Sequence, residues 1–297
     1  MTTDEGELYD ADEDPYALAL GPGREPVYLR LADGRRIRMP VHRWHEQPTA
    51  ADKTVLERCI GPVLDVGCGP GRMCRALLSR GVFALGVDIA PRAVALTTTI
   101  GGLALCRSVF DRLPAERGWQ TVLLIDGSIG IGGDPRGLLR RCGGLVAPTG
   151  RLVVEVDPDD VEEQCTARFE DLHGRTGPFF PWARLGRRAL RRIAANLALS
   201  VTDQWTSGHR CFATLTHRGS SCDRPDTGPA VTDAGRTESD GRQGGPWPPI
   251  ARSHVNHMLR WPGGLAGPAE YARVGQGADD AVGSGGLDVV NCAGPGS

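Results

Sequence analysis

Two acids around a glycine turn carry the clearest chemistry in this chain. The run Asp65-Val66-Gly67-Cys68-Gly69-Pro70-Gly71 sets three glycines at two-residue spacing, directly after Val63 and Leu64. Glycine permits a positive φ and lets a ligand approach the backbone with no Cβ in the way. Helix-forming residues follow from Arg72 to Arg80. The unpaired N–H groups of a helix start favour a polar or anionic ligand. Asp88 stands 21 residues after Gly67, at the end of a second apolar stretch, Ala84-Leu85-Gly86-Val87. A carboxylate there can accept hydrogen bonds from both hydroxyls of a ribose. It could instead cap the helix that Pro91 opens. A dinucleotide site asks for G-x-G-x-x-G. The spacing here is G-x-G-x-G, with an acid two residues ahead of the first glycine.

Three more ionisable groups are candidate general bases. Asp126 opens a loop to Gly133 that holds four glycines. In an open parallel sheet, ligands bind beyond the carboxyl ends of the strands, near the point where the strand order reverses. Asp126 in such a place could orient or deprotonate an acceptor. The other reading is a turn capped by Asp134-Pro135. Glu155 lies inside the apolar strand Arg151–Val156. A buried carboxylate without a partner is costly, so Glu155 pairs with an arginine or points into a cleft. His45 belongs to the cluster Val41-His42-Arg43-Trp44-His45-Glu46, either as a solvated residue or as a site residue.

The elements that must position these groups alternate strand with helix, which means a parallel sheet built from βαβ units. Strands are predicted over Val63–Val66, Phe83–Val87, Leu103–Val109, Thr121–Ile125 and Arg151–Val156, with helices at Arg72–Arg80, Pro91–Thr98 and Leu138–Arg141. Ahead of them, Val27–Leu31 and Arg36–Met39 flank Ala32-Asp33-Gly34, a hairpin signal. Thr49 or Asp52 could cap a helix running to Cys59. Beyond them, Leu185 to Leu197 carries one apolar face among arginines, and Ser200–Trp205 and Arg210–Thr216 read as an antiparallel pair.

The turn with its preceding strand, Asp65 and Asp88 resembles the signature of class I S-adenosylmethionine-dependent methyltransferases. The resemblance covers about residues 40–217 and implies an α/β fold, a Rossmann-like three-layer sandwich. Its seven-stranded, mostly parallel sheet has an antiparallel last strand and the order 3-2-1-4-5-7-6. It implies S-adenosylmethionine as co-substrate, without a metal. Asp65, Gly67, Cys68, Gly69 and Gly71 would then hold the methionine end, Asp65 positioning its ammonium. Asp88 would take the ribose, Ile89 would also line the cofactor, and the loop with Phe110 and Asp111 would face the adenine, Asp111 being otherwise a surface-loop acid. Asp126 would lie by the sulfonium methyl. Arg43, Trp44 and His45 would face the site, and the segment from Asp157 to Trp182, with its Phe-Phe-Pro-Trp run, would build the acceptor pocket. An aromatic Asn/Asp-Pro-Pro-Tyr motif is absent, against amino methylation of nucleic-acid bases. An NAD-dependent oxidoreductase and a non-catalytic binding module are the alternatives.

Composition narrows the class further. The chain has 297 residues, 40% of them apolar, enough for a substantial core, and a net charge of −2. No basic surplus points to nucleic acid, and a small-molecule acceptor fits. Of the 34 basic residues only Lys53 is lysine. Nine cysteines lack regular spacing or a C-x-x-C pair, so a reduced, cytoplasmic chain without structural zinc is expected. No apolar run reaches the roughly 20 residues that cross a bilayer. Four regions are expected: an acidic, disordered arm over 1–20, a hairpin and cap segment over 21–60, the methyltransferase domain over 61–217 and a disordered tail over 218–297. The tail holds 16 glycines and eight prolines. It is expected to be dispensable, and His254 and His257 have no further ligand pattern around them.

Overall fold

The computed structural model describes residues 15–21 and 26–219. A short helix α1 (Pro15–Ala19) precedes the hairpin β1 (Val27–Leu31) and β2 (Arg36–Met39). Helices α2 (Val41–His45) and α3 (Ala50–Leu56) lead into the core. There β3 (Val63–Val66), α4 (Arg72–Ser79), β4 (Ala84–Asp88), α5 (Pro91–Thr99), β5 (Leu103–Cys106) and β6 (Trp119–Leu124) alternate. A 3-10 turn (Ser128–Gly133), α6 (Pro135–Leu145) and β7 (Val146–Val156) follow. Last come β8 (Glu162–Glu170), β9 (Phe180–Leu185), α7 (Arg187–Ala195), β10 (Leu199–Ser207) and β11 (Arg210–His217).

Seven strands form one sheet in the order β10-β11-β7-β6-β3-β4-β5. Strands β3 to β7 are mutually parallel, and β11 runs antiparallel between β7 and β10. This is the predicted 3-2-1-4-5-7-6 order. Every residue of β3 and β4 is buried, as expected of a sheet covered on both faces. Leu64, Val66, Val122, Leu124, Leu138 and Val154 pack on one face, and Val63, Met73, Leu77, Leu123, Val153 and Phe212 on the other. The order reverses between β3 and β6. Because β11 is antiparallel, its first residue, Arg210, lies at the same end as the carboxyl ends of β3, β6 and β7.

Two expectations are corrected. The arm predicted over 1–20 stops short, because α1 buries Ala17 and Ala19 and Leu20 follows them into the core. The apolar run Tyr16-Ala17-Leu18-Ala19-Leu20 explains this; residues 1–14 lie outside the described residues. The third parallel strand ends at Cys106, not Val109, and Ser108 begins a turn closed by the Asp111 N–H on its carbonyl. The segment from Asp157 to Trp182, for which no element was predicted, holds β8 and the start of β9. They join the N-terminal hairpin in a second, antiparallel sheet of order β2-β1-β8-β9. β8 alternates Cys165, Ala167 and Phe169 with polar residues over its second half only, β9 does not alternate, and β8 gains its second partner, β1, from the far N-terminal hairpin. The tail from 220 onward lies outside the described residues.

Candidate cofactor site and its acid–arginine ring

The glycine turn is built as its sequence requires. Gly67, Gly69 and Gly71 all have positive φ, at 68°, 53° and 82°. A Cβ on Gly71 would sit 2.6 Å from the Thr97 hydroxyl, and one on Gly67 would sit 2.8 Å from that of Ser128. A Cβ on Gly69 would meet nothing within 4 Å, so the turn faces open space at that residue. Thr97, fully buried on α5, braces the turn from below by donating its hydroxyl to the Gly69 carbonyl at 2.9 Å. Cys68 is buried under the same turn, and a Cβ on Gly86 of β4 would meet its sulfur at 2.5 Å.

Asp88 lies at the carboxyl end of β4 and is tied to this turn. Its Oδ2 accepts the Gly69 N–H at 2.9 Å and its Oδ1 the Ala90 N–H at 2.9 Å. It does not cap α5, whose N-cap is Ala90 with Pro91 next. Burial raises its pKa, against those backbone hydrogen bonds. An ionised carboxylate offers about four lone-pair sites, so acceptor capacity remains for two hydroxyls. Ile89, next in the chain, is 75% exposed, and Phe110, in the turn after β5, is 48% exposed. Phe110 lies against the 3-10 turn, where a Cβ on Gly132 would meet its ring at 2.8 Å. Asp111 is exposed, and its carbonyl accepts from Arg141 at 2.6 Å.

Asp65 is 4% exposed and accepts the Cys74 thiol at 3.5 Å. Burial pushes its pKa up to about 7, and the Cys74 hydrogen bond and Arg72 only partly offset this.

Asp126 and Glu155 come together at the carboxyl ends of β6 and β7, but neither is free. Both belong to a cluster with Arg72, Arg210 and Asp52. Arg72, the first residue of α4, pairs with Asp52 and Asp126. Arg210 reaches Asp52 at 2.7 Å, Asp126 at 2.9 Å and Glu155 at 2.6 Å. Glu155 also accepts the Asp126 N–H at 2.7 Å, and Asp126 holds a φ of +56°. Burial alone would raise the Asp52 pKa, but Arg72, Thr49 and Arg210 together hold it well below the usual carboxylate range. Burial would likewise lower the Arg210 pKa, yet Glu155, Asp126 and Asp52 hold it raised. Asp52 also forms the capping box of α3 with Thr49. Glu155 therefore takes the paired reading, not that of an unpaired pocket acid.

His45 ends α2, half-buried, and is not part of this ring. Its neighbour Trp44 is core, edge-on to Tyr16 with ring centroids 5.9 Å apart. Aromatic contacts run on from Tyr16 through Phe169 and Phe180 to Trp182. Trp182 lies over the glycine loop, where a Cβ on Gly130 would meet its ring at 2.6 Å. Sequence reasoning missed Arg72, Arg210 and Thr97. Only Arg72, directly after the last glycine, carried a signal in its position; the other two are placed by folding.

Among the described residues, no cluster of metal-ligating side chains occurs and no helix is long and apolar enough to cross a membrane. The seven described cysteines are free.

Residues 64–154 match the family model described as a methyltransferase domain. No curated protein matches the chain. Among solved structures, a S-adenosylmethionine-dependent methyltransferase from Bacteroides fragilis in complex with S-adenosyl-L-homocysteine is similar, with 22% identity and a TM-score of 0.61. The match covers 71% of this chain and 98% of that one. The sugar N-methyltransferase KedS8 from Streptoalloteichus is more distant, at 17% identity and a TM-score of 0.42, covering 56% and 84%. Over residues 64–154 the chain is thus similar to a methyltransferase domain, and its sheet has the strand order that the resemblance to class I S-adenosylmethionine-dependent methyltransferases implied.

Proposed function

We propose that the protein transfers the methyl group of S-adenosylmethionine to a small-molecule acceptor. One observation carries the cofactor assignment: Asp88 ends β4 with its carboxylate on the Gly69 N–H, followed by the exposed Ile89, and the turn after β5 exposes Phe110. These residues fit an adenosine, with Asp88 taking the ribose hydroxyls and the two apolar side chains and Asp111 at the adenine. Gly67, Cys68, Gly69 and Gly71 would line the methionine end, with Asp65 toward its ammonium. The co-substrate, when bound, supplies a methyl group already activated on a sulfonium. What remains for the protein is to align an acceptor with that methyl and keep water out.

In this reading Asp126 and Glu155 orient and do not deprotonate, because arginines and a backbone N–H already occupy their oxygens. His45 stays a candidate base for an acceptor that keeps its proton at neutral pH. The second sheet packs β9 on the glycine loop and brings Trp182 over it, which suits an acceptor of small size. The net charge of −2 and the missing Asn/Asp-Pro-Pro-Tyr motif support the same class. The paired state of both acids also gives some support to a second reading, a binder without turnover. Calorimetry with S-adenosylmethionine, S-adenosylhomocysteine and NADH tests the cofactor, and tight NADH binding alone would overturn it. A methyl-transfer screen over neutral hydroxyl, amine and carbon acceptors then separates enzyme from binder.

A further inference from the structure

We propose that Arg210 and Asp52 are positioning residues for the methionine end of the cofactor, acting through Arg72 and Asp126. The inference rests on the cofactor reading above and names residues that it does not use. Arg72, Asp126, Arg210 and Asp52 form a closed ring in which each acid gives one oxygen to each arginine. Asp52 Oδ1 accepts from Arg210 at 2.7 Å and its Oδ2 faces Arg72. Asp126 Oδ1 accepts from Arg210 at 2.9 Å and its Oδ2 from Arg72. The four come from α3, the start of α4, the loop after β6 and the start of β11, up to 158 positions apart.

Two of these residues border the candidate site. Arg72 follows Gly71 directly, so a force on its guanidinium acts on the end of the glycine turn. Asp126 begins the loop whose Ser128 and Ile131 side chains lie against Gly67. Its φ of +56° is uncommon for a residue with a side chain. It is held from both ends: Glu155 takes its N–H and the two arginines take its carboxylate. Stability alone is a poor reason for such a cluster, since apolar replacements of buried ion networks are often as stable. Fixed geometry is what the cluster supplies, because it sets the spacing between turn and loop. Arg210 uses Nε, Nη1 and Nη2 together on three acids. A lysine has the charge but not that fork.

The full-length chain and two probes test this. S-adenosylhomocysteine carries the amino-acid end, and 5′-methylthioadenosine lacks it. In Arg210→Lys and Asp52→Asn, affinity for S-adenosylhomocysteine should fall about tenfold or more, as for the loss of a charge-assisted hydrogen bond. Affinity for 5′-methylthioadenosine should stay within about threefold, because Asp88 and its neighbours are untouched. Glu155→Gln keeps one acceptor oxygen, where the Asp126 N–H and one Arg210 N–H can stay bound, loses the other with the charge, and should show the same selective loss, smaller in size. Equal losses for both probes, or no loss for either, overturn the proposal. So does failure of all three variants to fold, which would make the ring a requirement of the fold alone. A wild-type chain that binds neither probe would instead overturn the cofactor reading itself.

Discussion

Asp88 and Asp65 are both buried acids beside one turn, yet they invite different tests. Asp88 has two backbone donors and spare lone pairs, so Asp88→Ala should weaken S-adenosylhomocysteine binding by about 10- to 100-fold, the weight of one or two charge-assisted bonds. Calorimetry reads this, and circular dichroism should show the fold retained; unchanged affinity would remove Asp88 from the site. Asp65 titrates. In the unfolded chain it ionises near pH 4, whereas burial delays this to about 7 in the fold. Between those values only the folded chain holds the proton. The contribution to stability is therefore largest below about pH 4 and is lost as pH rises through 7. Asp65→Asn should accordingly raise Tm more at pH 8 than at pH 5. Asp52 has the opposite sign: its lowered pKa adds stability above the ordinary carboxylate range, lost only as the solution becomes strongly acid.

At the scale of elements, the turn after β3 is held by parts that do not touch it in sequence. Thr97 supports it from α5 and the 3-10 turn lies against Gly67. Thr97→Val keeps the shape but loses the bond to the Gly69 carbonyl, and should cost about 0.5–1.5 kcal/mol in denaturant unfolding. Gly130→Ala probes the other side. Its Cβ would lie 2.4 Å from the Ala183 carbonyl and 2.6 Å from the Trp182 ring, so β9 must move off the loop. Overpacking of this kind costs about 1–3 kcal/mol. If the second sheet shapes the acceptor space, Gly130→Ala should also change acceptor preference in a methyl-transfer screen, with S-adenosylhomocysteine affinity nearly unchanged. A variant as stable as wild type would show that the loop and β9 are not packed as described.

At the scale of the molecule, two sheets share one chain whose first and middle segments must meet. Tyr28 of β1 pairs with Glu170 of β8, so the N-terminal hairpin completes its sheet with a segment that follows the parallel core. The far end is simpler. Arg218 donates its N–H to the Ala198 carbonyl, which finishes the β10–β11 edge before the chain leaves the described residues. Removing residues 220–297 should leave Tm within about 2 °C and cofactor affinity unchanged, since no bond of that edge is cut. Thermal melting and calorimetry of the shortened chain decide it, and a large fall in either would give the tail a role.

The parallel core was legible because its signals are local. Apolar runs of four to six residues, glycines at fixed spacing and an acid at a strand end depend on neighbours in sequence. They were enough for a parallel sheet of βαβ units, for the resemblance that implied its strand order, and for the positions of Asp65 and Asp88 on the two neighbouring strands β3 and β4. Asp126 and Glu155 were located by the same logic, but their state was not, because charge pairing depends on what folding brings alongside. Arg210 reaches them from the last strand and Asp52 from the segment before the core, and nothing in the spacing of either residue announces it. The second sheet stayed hidden for the same reason, since β8 and β9 gain their order from the hairpin and from each other. Sequence determined which elements make the parallel core and where the glycine turn opens. Tertiary structure alone decided which acids face arginines, because an ion pair depends on distance in space.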